Sequence, residues 1–243
     1  MPEINKDHLK STPILDFDKP EIASLIQEQG WLKLSNYEKI GAAYDFVRNE
    51  IKFGYNISDN IPASSVLKDG YGQCNTKGTL LMALLRALDI PCRLHGFTIH
   101  KSLQRGIVPE LIYPIAPENI LHSWVEVCHE NRWVHLEGFI LDDPYLKNLQ
   151  RGLGNGNQGL CSYGAGVEDL SNFQVKWCGK NTFIQHTGIN NDYGTFATPD
   201  EFYAVYTQDF PFWKKWLHNY IVRHWMNRRA EQLRQGKLKL VRF

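Results

Sequence analysis

Residues 69–91 read DGYGQCNTKGTLLMALLRALDIP, a glycine-punctuated loop that runs directly into a long apolar segment. The apolar residues predict a helix over 76–88 that is covered on most sides and is ended by Pro91. Cys74 therefore stands at the start of the predicted helix. Unpaired backbone N–H groups and the positive end of the helix dipole favour a thiolate at such a position. This pattern makes Cys74 a candidate nucleophile.

The composition is that of an ordinary globular protein of 243 residues, with 43% apolar residues, 22% charged residues and a net charge of +1. The first residues, MPEINKDH, lack the apolar stretch of a secretory signal, and the longest apolar run is far too short to span a membrane. Five cysteines without a CxxC pair favour reduced thiols. We therefore expect a cytoplasmic protein.

The patterning of the remaining chain favours an α+β fold. Helices are predicted over 20–29 and after a capping box formed by Ser35 and Glu38, and strands over 93–100, 120–128 and 133–141. An aromatic, basic helix is predicted from about Phe212. We predict one catalytic domain over 1–211, with its core motifs within 66–143, and a helical C-terminal extension over 212–243.

The hairpin predicted over 120–141 places a histidine and a carboxylate on the same face. A turn at Glu130 and Asn131 would make Glu137 the diagonal neighbour of His122, with Cβ atoms roughly 6–7 Å apart. A carboxylate at that distance can orient the imidazole through one ring nitrogen and leave the other nitrogen for a thiol. The predicted site therefore combines Cys74, His122 and Glu137 as nucleophile, base and orienting acid.

Three motifs in this order resemble the transglutaminase-like family: YGQC at 71–74 with ALLRALDIPCR at 83–93, HSWVEV at 122–127, and Trp133 followed by Glu137. The resemblance covers residues 66–143. It implies a papain-like α+β fold, in which the cysteine heads a central helix packed on an antiparallel sheet, and cysteine-dependent acyl transfer on an amide. The acid of the family is usually aspartate, whereas Glu137 stands here. Asp142 or Asp143 would replace it in another strand register.

The reaction that this set implies is attack by Cys74 on a carbonyl of a protein, peptide or small amide. Water resolves the resulting thioester in a hydrolase, and an amine resolves it in a transamidase. The oxyanion would be held by the Cys74 backbone N–H and a second donor, for which Gln73, Tyr71 and Tyr55 are candidates. We favour hydrolysis of an amide or peptide bond, with a protein-glutamine transamidase and an inactive binding module as alternatives. No cofactor or metal is predicted, because the Cys and His residues lack zinc-ligand spacing.

Basic charge is concentrated at the C-terminus, where residues 213–243 contain nine Lys or Arg and one Glu, a net charge of +8 against −7 for the remainder. At α-helical spacing, one face of this segment carries Trp213, Trp216, Leu217, Tyr220, Ile221 and Trp225. We predict that this face docks on the acidic body. Contact with an anionic membrane surface is less favoured, and binding of nucleic acid is not expected. Cys92, Cys128, Cys161 and Cys178 are predicted to be packing residues.

Overall fold

The computed structural model describes residues 4–153, 158–172, 174–208 and 211–243. Its α-helices are α1 Pro20–Glu28, α2 Asn36–Asn49, α3 Ala63–Asp69, α4 Cys74–Ala87, α5 Asp143–Leu153, α6 Pro199–Val205, α7 Phe212–Leu217 and α8 Arg223–Arg234. Its strands are β1 Lys52–Phe53, β2 Tyr71–Gly72, β3 Cys92–His100, β4 Asn119–His129, β5 Arg132–Leu136, β6 Leu160–Ser162, β7 Ala165–Val167 and β8 Ile189–Phe196. The predicted α+β class is confirmed.

The main sheet is antiparallel and has the strand order β5-β4-β3-β8. The turn between β4 and β5 is formed by Glu130 and Asn131, whose φ angles of 48° and 57° suit a tight two-residue hairpin. His129 pairs with Arg132, which is the register that the predicted turn at Glu130 and Asn131 requires. In the same register the last pair of this ladder is Val125 with Leu136, so Glu137 follows directly where the strand ends.

Helix α4 is the centre of the core, and every residue from Cys74 to Arg86 is buried. It packs on β4, α2 and α3. At Gly78 the helix faces Val125 and Phe139, which would lie at ordinary contact distances of 3.6 Å and 3.5 Å from an added Cβ atom. The prediction of a covered central helix is confirmed. Because the helix is packed on β4, the position of Cys74 at its first residue is fixed relative to that strand.

The structure departs from the predicted strand over 133–141 after Leu136. There the backbone N–H of Glu137 donates to the carbonyl oxygen of Thr182 at 3.0 Å instead of continuing the ladder with β4. Elements α5, β8 and α6 were not predicted either. Helix α5 does carry a helical signal that was missed, since helical spacing separates its buried residues Tyr145, Leu146 and Leu149. Strand β8 completes the sheet beside β3, and α6 packs on both strands.

The C-terminal helix, residues 212–234, consists of α7, a π-helical turn at His218–Val222 and α8. It packs on the body through Val222, Met226, Ala230 and Leu233, which are buried. The Arg234 guanidinium anchors its end, since it lies 2.7 Å from the buried Asp142 carboxylate. The helix docks on the body, as expected, but the face that contacts the body is not the aromatic face that the sequence predicted.

The predicted docking face is largely exposed: Trp213 is 56% exposed, Trp216 51%, Tyr220 66% and Ile221 52%. The π-helical turn explains the difference. In an α-helix, the next residue on the same face as Leu217 is three or four positions further along the chain. Here the next residue that packs on the core is Val222, five positions further along. The extra residue shifts the buried face by one position and leaves the aromatic residues outside. Within the described residues, no helix has the length and apolarity needed to cross a membrane.

Candidate active site

Cys74 is the first residue of α4 and lines a cleft of about 410 Å³. The Asn75 side chain clamps the start of this helix to β4, since its amide donates to the carbonyl of Leu121 at 3.1 Å and accepts from the Ser123 hydroxyl at 2.9 Å. The backbone N–H groups of Asn75 and Ser123 both favour the thiolate of Cys74. These contacts bring the sulfur against the part of β4 that carries His122.

His122 and Glu137 are fully buried and form a direct contact, with 3.0 Å between His122 Nε2 and Glu137 Oε1. The second carboxylate oxygen, Oε2, accepts from the backbone N–H groups of Ile184 at 2.8 Å and Gln185 at 2.9 Å. Both oxygens of the carboxylate are therefore fixed. The structure brings together the histidine and the acid that the sequence singled out.

This arrangement selects one tautomer of the His122 ring. An ionised carboxylate can only accept, so Nε2 is the nitrogen that carries the proton toward Glu137. The other nitrogen, Nδ1, is buried and has no hydrogen-bond partner among the described residues. The ring thus keeps a free basic nitrogen inside the site, which is what a proton acceptor for a thiol requires.

The pKa of Cys74 differs from the sequence expectation. Burial raises the pKa of the thiol well above its ordinary value, and the Asp59 carboxylate acts in the same direction. The N–H groups of Asn75 and Ser123 oppose this rise without overcoming it. A helix N-terminus was expected to favour the thiolate. Its contribution is present, but desolvation outweighs it in this enclosed site.

The loop over 53–60 is held to the start of α4 by a network of polar groups, in which Asn56 and Thr76 are buried and Gln73 and Asp59 are half-buried. The Asn56 side chain accepts from the Thr76 hydroxyl at 2.6 Å, and its backbone N–H donates to the Gln73 side-chain oxygen at 2.9 Å. The Gln73 amide in turn donates to Asp59 at 2.7 Å. Burial raises the pKa of Asp59, while hydrogen bonds from Gln73 and Asn75 oppose the shift. The network holds a carboxylate close to the candidate nucleophile.

The three predicted oxyanion donors differ in position. Gln73 and Tyr55 line the cleft together with Cys74. Tyr71 is not among the lining residues, and its hydroxyl accepts a hydrogen bond from Arg223 at 3.3 Å. Tyr71 therefore differs from the other two candidates in lying outside the lining of the cleft.

Sequence reasoning missed Asn56, Asp59 and Tyr203. The Tyr203 hydroxyl is buried without a partner in the described part of the chain, and Tyr203 lines the same cleft. Burial raises its pKa well above the ordinary value, and the nearby Asp59 and Cys74 act in the same direction. No periodicity marks these residues, because the first two lie in an irregular loop and Tyr203 on a helix that was not predicted.

The alternative acids, Asp142 and Asp143, are engaged elsewhere. Asp142 pairs with Arg234 and accepts from the backbone N–H of Phe53 at 3.0 Å. Asp143 pairs with Arg48. Neither carboxylate contacts His122, so the register that places Glu137 beside the histidine is the one observed.

The remaining cysteines are unpaired thiols in different environments. Cys92 is buried and Cys128 is half-buried, in agreement with packing roles, whereas Cys161 and Cys178 are exposed and that prediction is wrong for them. Both lie in segments without a regular apolar pattern. Among the residues that the structure describes, no group of three or more His, Cys, Asp or Glu side chains is arranged to hold a metal ion.

The cleft is lined mainly by apolar side chains from two parts of the chain. Residues 99–121 contribute Leu103, Ile112 and Leu121, and the C-terminal helix contributes Leu217, Val222 and Met226. Polar groups are contributed by the loop over 53–60, by the start of α4 and by Lys214, Lys215 and His218. A volume of about 410 Å³ with a few polar groups is typical of a small-molecule site.

Comparison with known proteins agrees with the motif assignment. The family model of the transglutaminase-like superfamily core matches residues 24–138, which include Cys74, His122 and Glu137. A crystal structure from Cytophaga hutchinsonii, described as a "putative cysteine protease", is similar with a TM-score of 0.46 and 16% identity, over 82% of this chain and 50% of that one. This chain thus spans about half the length of that protein. A search of curated proteins gives no significant match. The part of the chain that contains Cys74, His122 and Glu137 is therefore similar to the transglutaminase-like superfamily core, over residues 24–138.

Proposed function

We propose that this protein hydrolyses an amide or peptide bond through a thioester on Cys74. One observation carries the proposal: His122 is held by Glu137 through Nε2, while its buried Nδ1 has no partner among the described residues, on the strand against which the Cys74 sulfur lies. The match of residues 24–138 to the superfamily core supports a cysteine-based hydrolase or transferase as the broader class. The reaction within that class is our inference from the site.

The first step transfers the thiol proton to His122 Nδ1 as the sulfur attacks the substrate carbonyl. Because burial and Asp59 raise the pKa of Cys74, the thiol is the resting form, and proton transfer accompanies attack. The Sγ–C bond forms, and the proton passes from His122 to the nitrogen of the leaving amine as the C–N bond breaks. The product of this step is a thioester and a free amine.

The developing oxyanion needs donors that are already in place. The Cys74 backbone N–H stands at the first position of α4, where a helix has no internal acceptor for it. Gln73 and Tyr55 remain candidates for the second donor, and the unpartnered Tyr203 hydroxyl joins them. Water, activated by His122 Nδ1, then attacks the thioester and releases a carboxylic acid.

The proposal is tested by trapping the acyl-enzyme. The protein is treated with a p-nitrophenyl ester, quenched with acid and analysed by peptide mass spectrometry for an acyl group that hydroxylamine removes. We expect the group on Cys74, and we expect it to disappear in Cys74→Ala and to form far more slowly in His122→Ala. The control is Cys161→Ala, since Cys161 is an exposed thiol.

Acylation confined to the exposed Cys161 and Cys178 would contradict the proposal, because it would report accessibility instead of a built site. Hydrolysis and transamidation are separated by adding a labelled primary amine to the acylated protein. Release of free acid without amine incorporation supports hydrolysis. Preferential incorporation of the amine would instead support the transamidase.

A further inference from the structure

The C-terminal helix presents an unusual concentration of exposed aromatic side chains. Phe212 is 84% exposed, and Trp213, Trp216, Tyr220 and Trp225 are between 39% and 66% exposed. Tryptophan and tyrosine have an apolar body and a polar tip, so they are enriched where an apolar phase meets water. A cluster of this size on a helix marks an interaction surface.

The same helix is strongly basic. Among the described residues, Lys214, Lys215, Arg223, Arg228 and Arg229 form no ion pair with a carboxylate. Lys214 lies over the Trp213 ring at 5.5 Å and Arg229 over the Trp225 ring at 4.9 Å. Aromatic residues interleaved with unneutralised cations are typical of helices that lie in the interface of an anionic bilayer.

This surface borders the cleft that contains Cys74. Lys214, Lys215, Leu217 and His218 line the cleft, while Trp213 and Trp216 on the same turns of helix are exposed. The Lys214 ammonium donates to the carbonyl of Ile115 at 3.2 Å, so the helix meets the loop that forms another wall of the cleft. Any partner or bilayer that contacts α7 would therefore lie next to the opening of the cleft that contains Cys74.

The interior of the cleft suits a hydrocarbon chain. Its apolar lining includes Leu103, Ile112 and Leu121 from one segment and Val222 and Met226 from the other. Each CH₂ group that moves from water into such a lining strengthens binding roughly fourfold. The polar groups lie in two places: Asp59, Gln73 and Asn75 near Cys74, and Lys214 and Lys215 on α7.

We propose that this protein takes its substrate from an anionic lipid bilayer, with the C-terminal helix at headgroup level and a hydrocarbon chain of the substrate entering the cleft beside Cys74. The substrate is then an amphiphilic amide. Its cleavage rests on the proposed function: the Cys74 sulfur displaces the amine, water resolves the thioester, and a carboxylic acid and a free amine leave. Binding to the bilayer and to the chain does not depend on that chemistry.

The bilayer half of the proposal is tested by sedimentation of the full-length Cys74→Ala protein with vesicles. We expect binding to phosphatidylcholine vesicles that contain phosphatidylglycerol, weak binding to pure phosphatidylcholine, and release by salt. The double variant Trp213→Ser, Trp216→Ser should partition roughly tenfold less, the equivalent of ~1.4 kcal/mol. The control is Leu32→Ser, which removes a side chain that is 61% exposed outside the helix.

Failure to bind anionic vesicles, or equal binding by the double variant, would overturn the proposal that the C-terminal helix binds an anionic bilayer. So would self-association in the absence of lipid that the same double variant abolishes, since the aromatic face would then bind a second copy of the chain. Binding that depends on charge alone and is unaffected by loss of both tryptophans likewise contradicts an interfacial helix.

The cleft half is tested with fatty acids of increasing length, again on Cys74→Ala, by competition with a fluorescent fatty acid. Affinity should rise roughly fourfold per added CH₂ over the lengths that the cleft accommodates. Ile112→Asn, which makes the lining polar, should reduce the slope. Leu111→Asn, a change at the neighbouring residue that is 93% exposed and does not line the cleft, should not. Affinity independent of chain length would overturn this half, whichever reaction Cys74 performs.

Discussion

Replacement of Glu137 by Gln should invert the tautomer of His122 while leaving the fold intact. In the protein, Oε2 of Glu137 accepts from two backbone N–H groups, those of Ile184 and Gln185, and Oε1 accepts from His122 Nε2. A buried N–H group without an acceptor costs about 1–3 kcal/mol. Leaving the two backbone N–H groups without an acceptor costs more than leaving the one imidazole N–H without an acceptor. The amide oxygen of the introduced glutamine will therefore face the backbone, and its NH₂ group will face the imidazole.

The imidazole must then accept at Nε2, and its proton moves to Nδ1. A protonated Nδ1 cannot take the proton of the Cys74 thiol, so the contribution of the general base is lost. That contribution is about 10²–10⁴-fold in rate, or roughly 2.7–5.4 kcal/mol in activation free energy. We expect the rate of acyl-enzyme formation on Cys74 to fall within this range.

The tautomer itself is read by nitrogen-15 NMR of histidine-labelled protein, which distinguishes a ring nitrogen that carries hydrogen from one that does not. Wild-type His122 should carry hydrogen on Nε2, and the Glu137→Gln protein on Nδ1. The matched control is Asp192→Asn, which turns a 64% exposed carboxylate that contacts His95 into an amide and leaves Cys74, His122 and Glu137 unchanged. An Nδ1–H in the wild-type protein, or unchanged acylation in the variant, would refute the reasoning.

Three further predictions concern charge. Asp59→Asn should lower the pKa of Cys74, so the pH midpoint of its alkylation by iodoacetamide moves to lower pH; an unmoved midpoint would count against the assigned cause. Glu126→Gln should cost roughly 3 kcal/mol at pH 7 by urea unfolding, because the folded state lowers the pKa of that carboxyl from 4.5 to about 2. This contribution is complete above the unfolded pKa and disappears as pH falls toward 2, so the difference between variant and wild type must shrink there. Arg234→Met leaves the buried Asp142 without its cation and should lower the unfolding free energy by about 3 kcal/mol, a loss that Asp142→Asn in the same chain should partly restore.

Local sequence rules predicted the part of the site that depends on short-range geometry. The apolar run after Cys74 determines a helix, and the alternation around His122 with a two-residue turn at Glu130 and Asn131 determines a hairpin. Together they bring His122 and Glu137 into contact. The extra methylene of Glu137 is accommodated because the residue lies just beyond the last ladder pair, where its backbone has turned toward Thr182.

The parts that were not predicted depend on contacts between distant segments. The carboxylate of Glu137 is held by residues 184 and 185, and Asp59 reaches Cys74 from an irregular loop through Gln73. No helical or strand periodicity encodes such contacts. The direction of the Cys74 pKa shift was missed for the same reason, since it depends on burial and on Asp59.

The C-terminal helix shows how one local irregularity can reverse an interpretation. With 3.6 residues per turn throughout, Leu217, Tyr220 and Ile221 share a face, and docking of that face on an acidic body is the economical arrangement. The π-helical turn replaces Ile221 by Val222 on the inside, so burial is satisfied by aliphatic residues and the aromatic residues face solvent. Because π-helical turns are frequent at functional sites, and this one carries His218 and Val222 into the cleft, the irregularity links the exposed aromatic surface to the site of chemistry.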